Sequence, residues 1–237
     1  MSASRLISSF EGHVYTKVDE KDVRDKILGL KPRLNHFEFC EFEKDEYPYL
    51  DGMYEEELIE RGWDEGTDDA VLIGYIYTRK NLNDKEYRVI VCKEMIHSLD
   101  QASDKTFTLD AINTLSEELT LPDVMKEFSC HTMRDKMCFF LALTVLFPLS
   151  TKRKFLESYQ KEEISAKEIS DMTSLPEVTI PLLMSPAWQF ISEKVIPKYL
   201  EEEEKKDLEG DAEEEKFFRE IREANKAKPK ISENVVS

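Results

Sequence analysis

From Tyr87 to Asp100 the chain reads YRVIVCKEMIHSLD, a segment in which Val89, Cys92, Ile96 and Leu99 recur at helical spacing. Such a helix must bury a face, yet Lys93, Glu94, His97 and Asp100 are set into it. Lys93, His97 and Asp100 stand four and three residues apart, which puts them on one helical face with Glu94 beside them. Ionisable groups near a core are costly unless paired. A buried charged cluster can follow on this face.

The surroundings read as an α+β arrangement. Residues 19–31, DEKDVRDKILGLK, place Val23, Ile27 and Leu30 at helical spacing behind an acidic first turn, and Pro32 stops that helix. NHFEFCEFE (35–43) alternates with the period of a strand. The acidic, turn-rich stretch from Tyr47 to Gly66 reads as loop, and AVLIGYIYTR (70–79) as a second strand ending at the Asn81-Leu82-Asn83-Asp84 turn signal. The expectation is a small N-terminal antiparallel sheet. After the central helix come a helical pattern at 108–119, a strongly apolar one from Thr132 to Pro148, and KRKFLESYQ capped by Ser150 or Thr151. Ser165 with Glu168 forms a capping-box signature, and Ser165 to Met184 has the proportions of a helix-turn-helix unit. With Glu177 and few cations on its second helix, that unit suits packing rather than phosphate contact.

On a helix, the two histidines of H-E-x-x-H bind one zinc while the glutamate activates its water. Here the string is Lys93-Glu94-Met95-Ile96-His97. The glutamate and second histidine are present, but a lysine ammonium has no lone pair for a metal. With this string and the later DKMCFFLALTVLFP (135–148), the chain resembles the ImmA/IrrE family of zinc endopeptidases, whose second pattern resembles E-x-x-A-x-x-F-A-x-x-L-L-M-P. Ser165-Ala166-Lys167-Glu168-Ile169 and Leu175-Pro176-Glu177-Val178 resemble the family's following helices. The resemblance covers about residues 70–185. It implies a mostly helical, zincin-like domain in which His97 and Asp135 stand at metal positions and Glu94 at that of the catalytic base. Lys93, Asp100 and His131 complete a relict cluster. Lys93 departs from the pattern at the first ligand, and Ile96 where a small residue is usual. One expectation is that the Lys93 ammonium occupies the vacated metal position and pairs with Glu94, Asp100 or Asp135. The alternative is that Lys93 extends to solvent and Asp100 decorates the helix end. A zinc set of Cys92, His97, Cys130 and His131 is disfavoured because Cys92 is nearly opposite His97 in helical phase.

The net charge of -17 disfavours direct binding to nucleic acid or anionic membranes and favours a protein partner with a basic surface. Cys40, Cys92, Cys130 and Cys138 show no CxxC pair, consistent with free thiols in a reducing cytoplasm. No signal h-region is legible at the start, and the apolar run Met137 to Leu149 is too short to span a bilayer. No Gly-rich phosphate loop or G-x-S-x-G elbow is present. The organisation expected is an N-terminal helix and strand region (1–68), a degenerate metallopeptidase-like domain (69–200) and an acidic, flexible tail (201–237). Residues 201–215 hold ten acidic and two basic residues, a self-repelling block. Beyond it, KFFREIREANKAK (216–228) sets Phe217 and Ile221 on one face, with Phe218 adjacent, as a partner anchor.

The first functional expectation is a non-catalytic regulatory or protein-binding descendant of the peptidase fold, without a cofactor. The second is an active zinc endopeptidase cleaving a transcriptional repressor. Its ligands are His97, Asp135 and either His131 or Asp100, and Glu94 is its base. The third is an acidic DNA-mimic decoy for a basic nucleic-acid-binding protein.

Overall fold

The computed structural model describes residues 2–12, 17–45, 47, 49–60, 70–100 and 130–205. Asn83 starts the expected central helix, α3 (Asp84–His97), by accepting from the backbone of Lys85 and Glu86 while the Glu86 side chain accepts from the Asn83 N–H. The helix ends at His97, and one further turn carries the chain to Asp100, whose N–H donates to the His97 carbonyl. Arg88, Val89, Val91, Cys92, Lys93, Glu94, Met95 and Ile96 are all buried, so α3 is covered on almost every side.

Before it stand helices α1 (Ser2–Phe10) and α2 (Glu20–Leu30) and strands β1 (Leu34–Phe42), β2 (Gly52–Glu60) and β3 (Ala70–Arg79). The order in the sheet is β1-β3-β2, with β1 parallel and β2 antiparallel to β3. The sheet is thus mixed, which corrects the expectation of an antiparallel one. The cause is β2, where Glu55, Glu56 and Glu57 lower strand propensity and make the segment look like loop. As an edge strand it tolerates them. Glu55 and Glu57 lie beside Tyr77 and Tyr75, while Tyr54 and Glu56 share the opposite face. The division drawn at 68/69 falls between β2 and β3, inside one sheet.

Buried Phe37, Tyr54 and Ile76 join α3 and the later helices in a single core. Phe39, two residues after buried Phe37 in β1, is exposed. α3 contacts β2, β3 and α2, and α1 packs on α2. α4 (Cys130–Leu146) packs along α3 and also meets α1, burying Met137, Cys138, Leu141, Ala142, Leu143, Val145 and Leu146. α1, absent from the sequence-based reading, buries Leu6 and Phe10. The pattern at 108–119 lies outside the described residues.

Pro148 ends α4 and is itself the N-cap of α5 (Leu149–Gln160), with its carbonyl accepting from Thr151 and Lys152. Ser150 and Thr151 therefore lie inside the helix they were expected to cap. Proline's fixed φ suits a helix start. The Ser165 and Glu168 capping box opens α6 (Ala166–Thr173), which ends at a left-handed Ser174. A 3-10 turn (Glu177–Thr179) and α7 (Ile180–Met184) follow. α8 (Pro186–Phe190) then runs through a π segment (Ile191–Val195) into helical residues 196–205. The acidic block therefore begins as helix, where a flexible tail was expected from 201. Among the described residues no helix is long and apolar enough to cross a membrane.

Candidate functional site

Two helices make the site. α3 supplies Lys93, Glu94 and His97 with Asp100 one turn on, and α4 supplies Arg134, Asp135 and Cys138. Asp135 and Cys138 are three residues apart and therefore share a face directed at α3. Lys93 Nζ lies 2.5 Å from Asp135 Oδ1 and 3.0 Å from Glu94 Oε1. His97 reaches both neighbouring acids, Nδ1 at 2.7 Å from Asp100 Oδ2 and Nε2 at 3.5 Å from Asp135 Oδ1. Asp100 then receives the Arg134 guanidinium, with Nε at 2.8 Å from Oδ1. Arg134 also pairs with Glu203, and its guanidinium sits 5.3 Å from the centre of the Tyr199 ring. The chain of groups from Glu94 to Glu203 is continuous.

Lys93 is buried and does not extend to solvent. Burial alone would strip its charge, but the Asp135 carboxylate, and after it Glu94, reverse that and hold the ammonium well above the usual lysine range. Burial likewise opposes the Asp135 and Asp100 charges. Lys93 and His97 carry Asp135 well below the carboxylate range, and His97 with Arg134 does the same for Asp100. Burial opposes the imidazolium too, but the Asp100 and Asp135 carboxylates hold His97 well above its ordinary range. Glu94 differs: burial raises it, and Lys93 and His97 reverse this only in part. Its Oε1 is buried, and among the described residues Lys93 Nζ stands at ion-pair distance from it.

Of the residues singled out in the sequence, Lys93, Glu94, His97, Asp100 and Asp135 converge. Lys93 pairs with Glu94 and Asp135, whereas Asp100 goes to His97 and Arg134. The His131 backbone lies in α4 one turn before Asp135, and its side chain is outside the described residues, as are Phe217, Phe218 and Ile221. Cys92 takes no part in the cluster. The sequence-based reading missed Arg134, Cys138, Tyr199 and Glu203. Spacing held a signal for two of them, because Arg134 and Cys138 flank Asp135 on its helix. Nothing local marks Tyr199 or Glu203.

The donor set does not fit a zinc ion held by the K-E-x-x-H face. Lys93 offers no lone pair, and its ammonium sits against the Asp135 oxygen that such an ion would need. A different trio, His97, Asp100 and Cys138, has ligand atoms within 4.8 Å of one another. There, however, Arg134 engages Asp100, and burial keeps the Cys138 thiol protonated beyond its usual range. Cys40, Cys92 and Cys138 are free thiols.

β2 shields the site from the sheet side. A Cβ on Gly52 would lie 2.7 Å from Glu94 Oε1 and collide with the Ile90 side chain, so only glycine fits there. Tyr54 donates to Glu56 at 2.6 Å, Lys31 pairs with Glu56, and Lys31 Nζ donates to the Ser98 carbonyl at 2.7 Å, fixing the turn between His97 and Asp100. No family model, curated protein or solved structure matches the chain.

Proposed function

We propose that the chain is a non-catalytic, pseudo-peptidase protein on a zincin-like fold of ImmA/IrrE type, acting in the cytoplasm by binding another protein. The observation that carries the reading is the seat of Lys93. A cation covalently attached to α3 lies between the general-base position, Glu94, and the third-ligand position, Asp135, at ion-pair distance from both. A zinc peptidase needs a Lewis acid and a water there. A fixed ammonium can neutralise the two carboxylates and tie the helices together, but it cannot polarise a carbonyl as a divalent ion does. The arrangement keeps the site's charge balance while removing its reactivity. Binding is the function left to such a fold, and the net charge of -17 favours a partner with a basic surface.

The zinc endopeptidase reading draws support from one observation, the closeness of His97, Asp100 and Cys138. That trio would have to release Arg134 and two protons before holding a metal. Incubation of the full chain with zinc and an unfolded protein substrate separates the two readings. The pseudo-peptidase reading expects no cleavage. Cleavage that disappears in Glu94→Gln would overturn it.

A further inference from the structure

Away from the charged cluster, α1, the α4–α5 junction and the C-terminal helical residues enclose a groove of about 290 Å³. Its floor is apolar, formed by Ile7, Leu149, Ile196 and Leu200, and Glu11, Glu201 and Glu204 stand around it. Ile196 is buried, while Ile7, Leu149 and Leu200 are half-buried, leaving apolar surface accessible. Glu201 is paired with Lys205 at 2.8 Å, but both are so exposed that the pair contributes little. An apolar floor inside a carboxylate rim suits an amphipathic segment of net positive charge.

The chain carries such a segment. Residues 216–228 set Phe217, Ile221 and Ala224 at spacings of four and three and carry five basic against two acidic residues, in a protein whose overall charge is -17. The described chain ends at residue 205, and Glu201 and Glu204 in that last turn belong to the groove. Residues 206–215 provide a ten-residue connection, which at up to about 3.3 Å per residue is ample to double back. We propose that residues 216–228 dock in cis into this groove, Phe217 and Ile221 on the apolar floor, with the segment's net positive charge drawn to the Glu11, Glu201 and Glu204 carboxylates. The segment read in the sequence as a partner anchor is then covered by the chain's own body. A tethered segment of this length competes at an effective concentration on the order of millimolar.

A fluorescein-labelled peptide of residues 214–228, titrated into full-length protein and followed by anisotropy, tests the proposal. The groove of the unaltered chain is already filled, so Phe217→Asp/Ile221→Asp and, separately, Arg219→Glu/Arg222→Glu should each bind the peptide at least roughly tenfold more tightly than the unaltered chain does. Adding Glu201→Lys/Glu204→Lys to either variant should remove that gain. Equal peptide affinity for the unaltered chain and both variants, or no binding by any of them, would overturn the proposal and leave the groove to a partner protein. A concentration-dependent dimer in light scattering, lost in the Phe217 and Ile221 variant, would overturn it in favour of a second copy.

Discussion

Lys93 Nζ and Asp135 Oδ1, 2.5 Å apart, join α3 to α4 through a largely buried ion pair. The same oxygen faces His97 Nε2 at 3.5 Å, so one carboxylate answers two cations on successive turns of α3. The desolvation cost of such a pair offsets much of its attraction, which makes it a weak net stabiliser and a poor place to delete one partner.

Lys93→Met should therefore lower the unfolding free energy by roughly 3–5 kcal/mol, because it leaves Asp135 and Glu94 without their shared cation. Asp135→Asn should cost a similar amount. The double variant should cost clearly less than the two together, a coupling that urea denaturation of all four proteins measures. Additive losses would show that the two groups do not act as a pair.

His97 gives the molecule a pH dependence of definite sign. Its folded pKa is raised, so its contribution is complete below the unfolded value of about 6.5 and is lost as pH rises toward the folded value. Unfolding free energy should fall by roughly 1–2 kcal/mol more between pH 6 and pH 8 than it does in His97→Asn. Asp100 and Asp135, with depressed pKa values, act at the other end: their contribution is present above about pH 4 and is lost on further acidification. Identical pH profiles for the unaltered chain and His97→Asn would contradict the paired imidazolium.

Gly52→Ala should destabilise by about 1–3 kcal/mol, since the added methyl meets Ile90 and Glu94 on the buried side of α3. A neutral result in thermal unfolding would mean that β2 does not press on the site.

The C-terminal helical turn belongs to the same network. Glu203→Ala removes the outer partner of Arg134, whose inner partner is Asp100, and should cost about 1–3 kcal/mol in spite of lying within an acidic block that reads as solvated. Glu201→Ala, an exposed neighbour, is the control and should change stability by less than about 0.5 kcal/mol. Equal effects of the two would remove Glu203 from the fold.

The helical half of the fold was legible because its signals are local: the turn at Asn81 to Asp84 before α3, the Ser165 capping box, the apolar run of α4 and the Pro148 that closes it. β2 was not, because its glutamates are tolerable only at a sheet edge, and edges are a property of the assembled sheet. In the site, Lys93, Glu94, His97 and Asp100 were legible as one helical face, and Asp135 only through a family resemblance. Arg134 had a signal only through its place beside Asp135, and Glu203 was hidden by a charge run that most often marks solvent. Arg88 illustrates the same limit. Nothing near it in sequence predicts a buried arginine, yet its guanidinium donates to the carbonyls of Thr173, at 2.9 Å, and Ser174, at 3.1 Å, and reaches the Val18 carbonyl, closing the end of α6 against α3.

Elemental analysis of the purified full chain, after dialysis against a small excess of zinc and removal of free metal, tests the seat of Lys93 most directly. Lys93 offers no lone pair and its ammonium holds the Asp135 oxygen, so the unaltered protein should retain far less than one zinc per chain. Lys93→His, which completes an H-E-x-x-H face opposite Asp135, should retain zinc and lose it again when His97→Ala is added. One tightly held zinc per unaltered chain, lost on His97→Ala, would contradict the account.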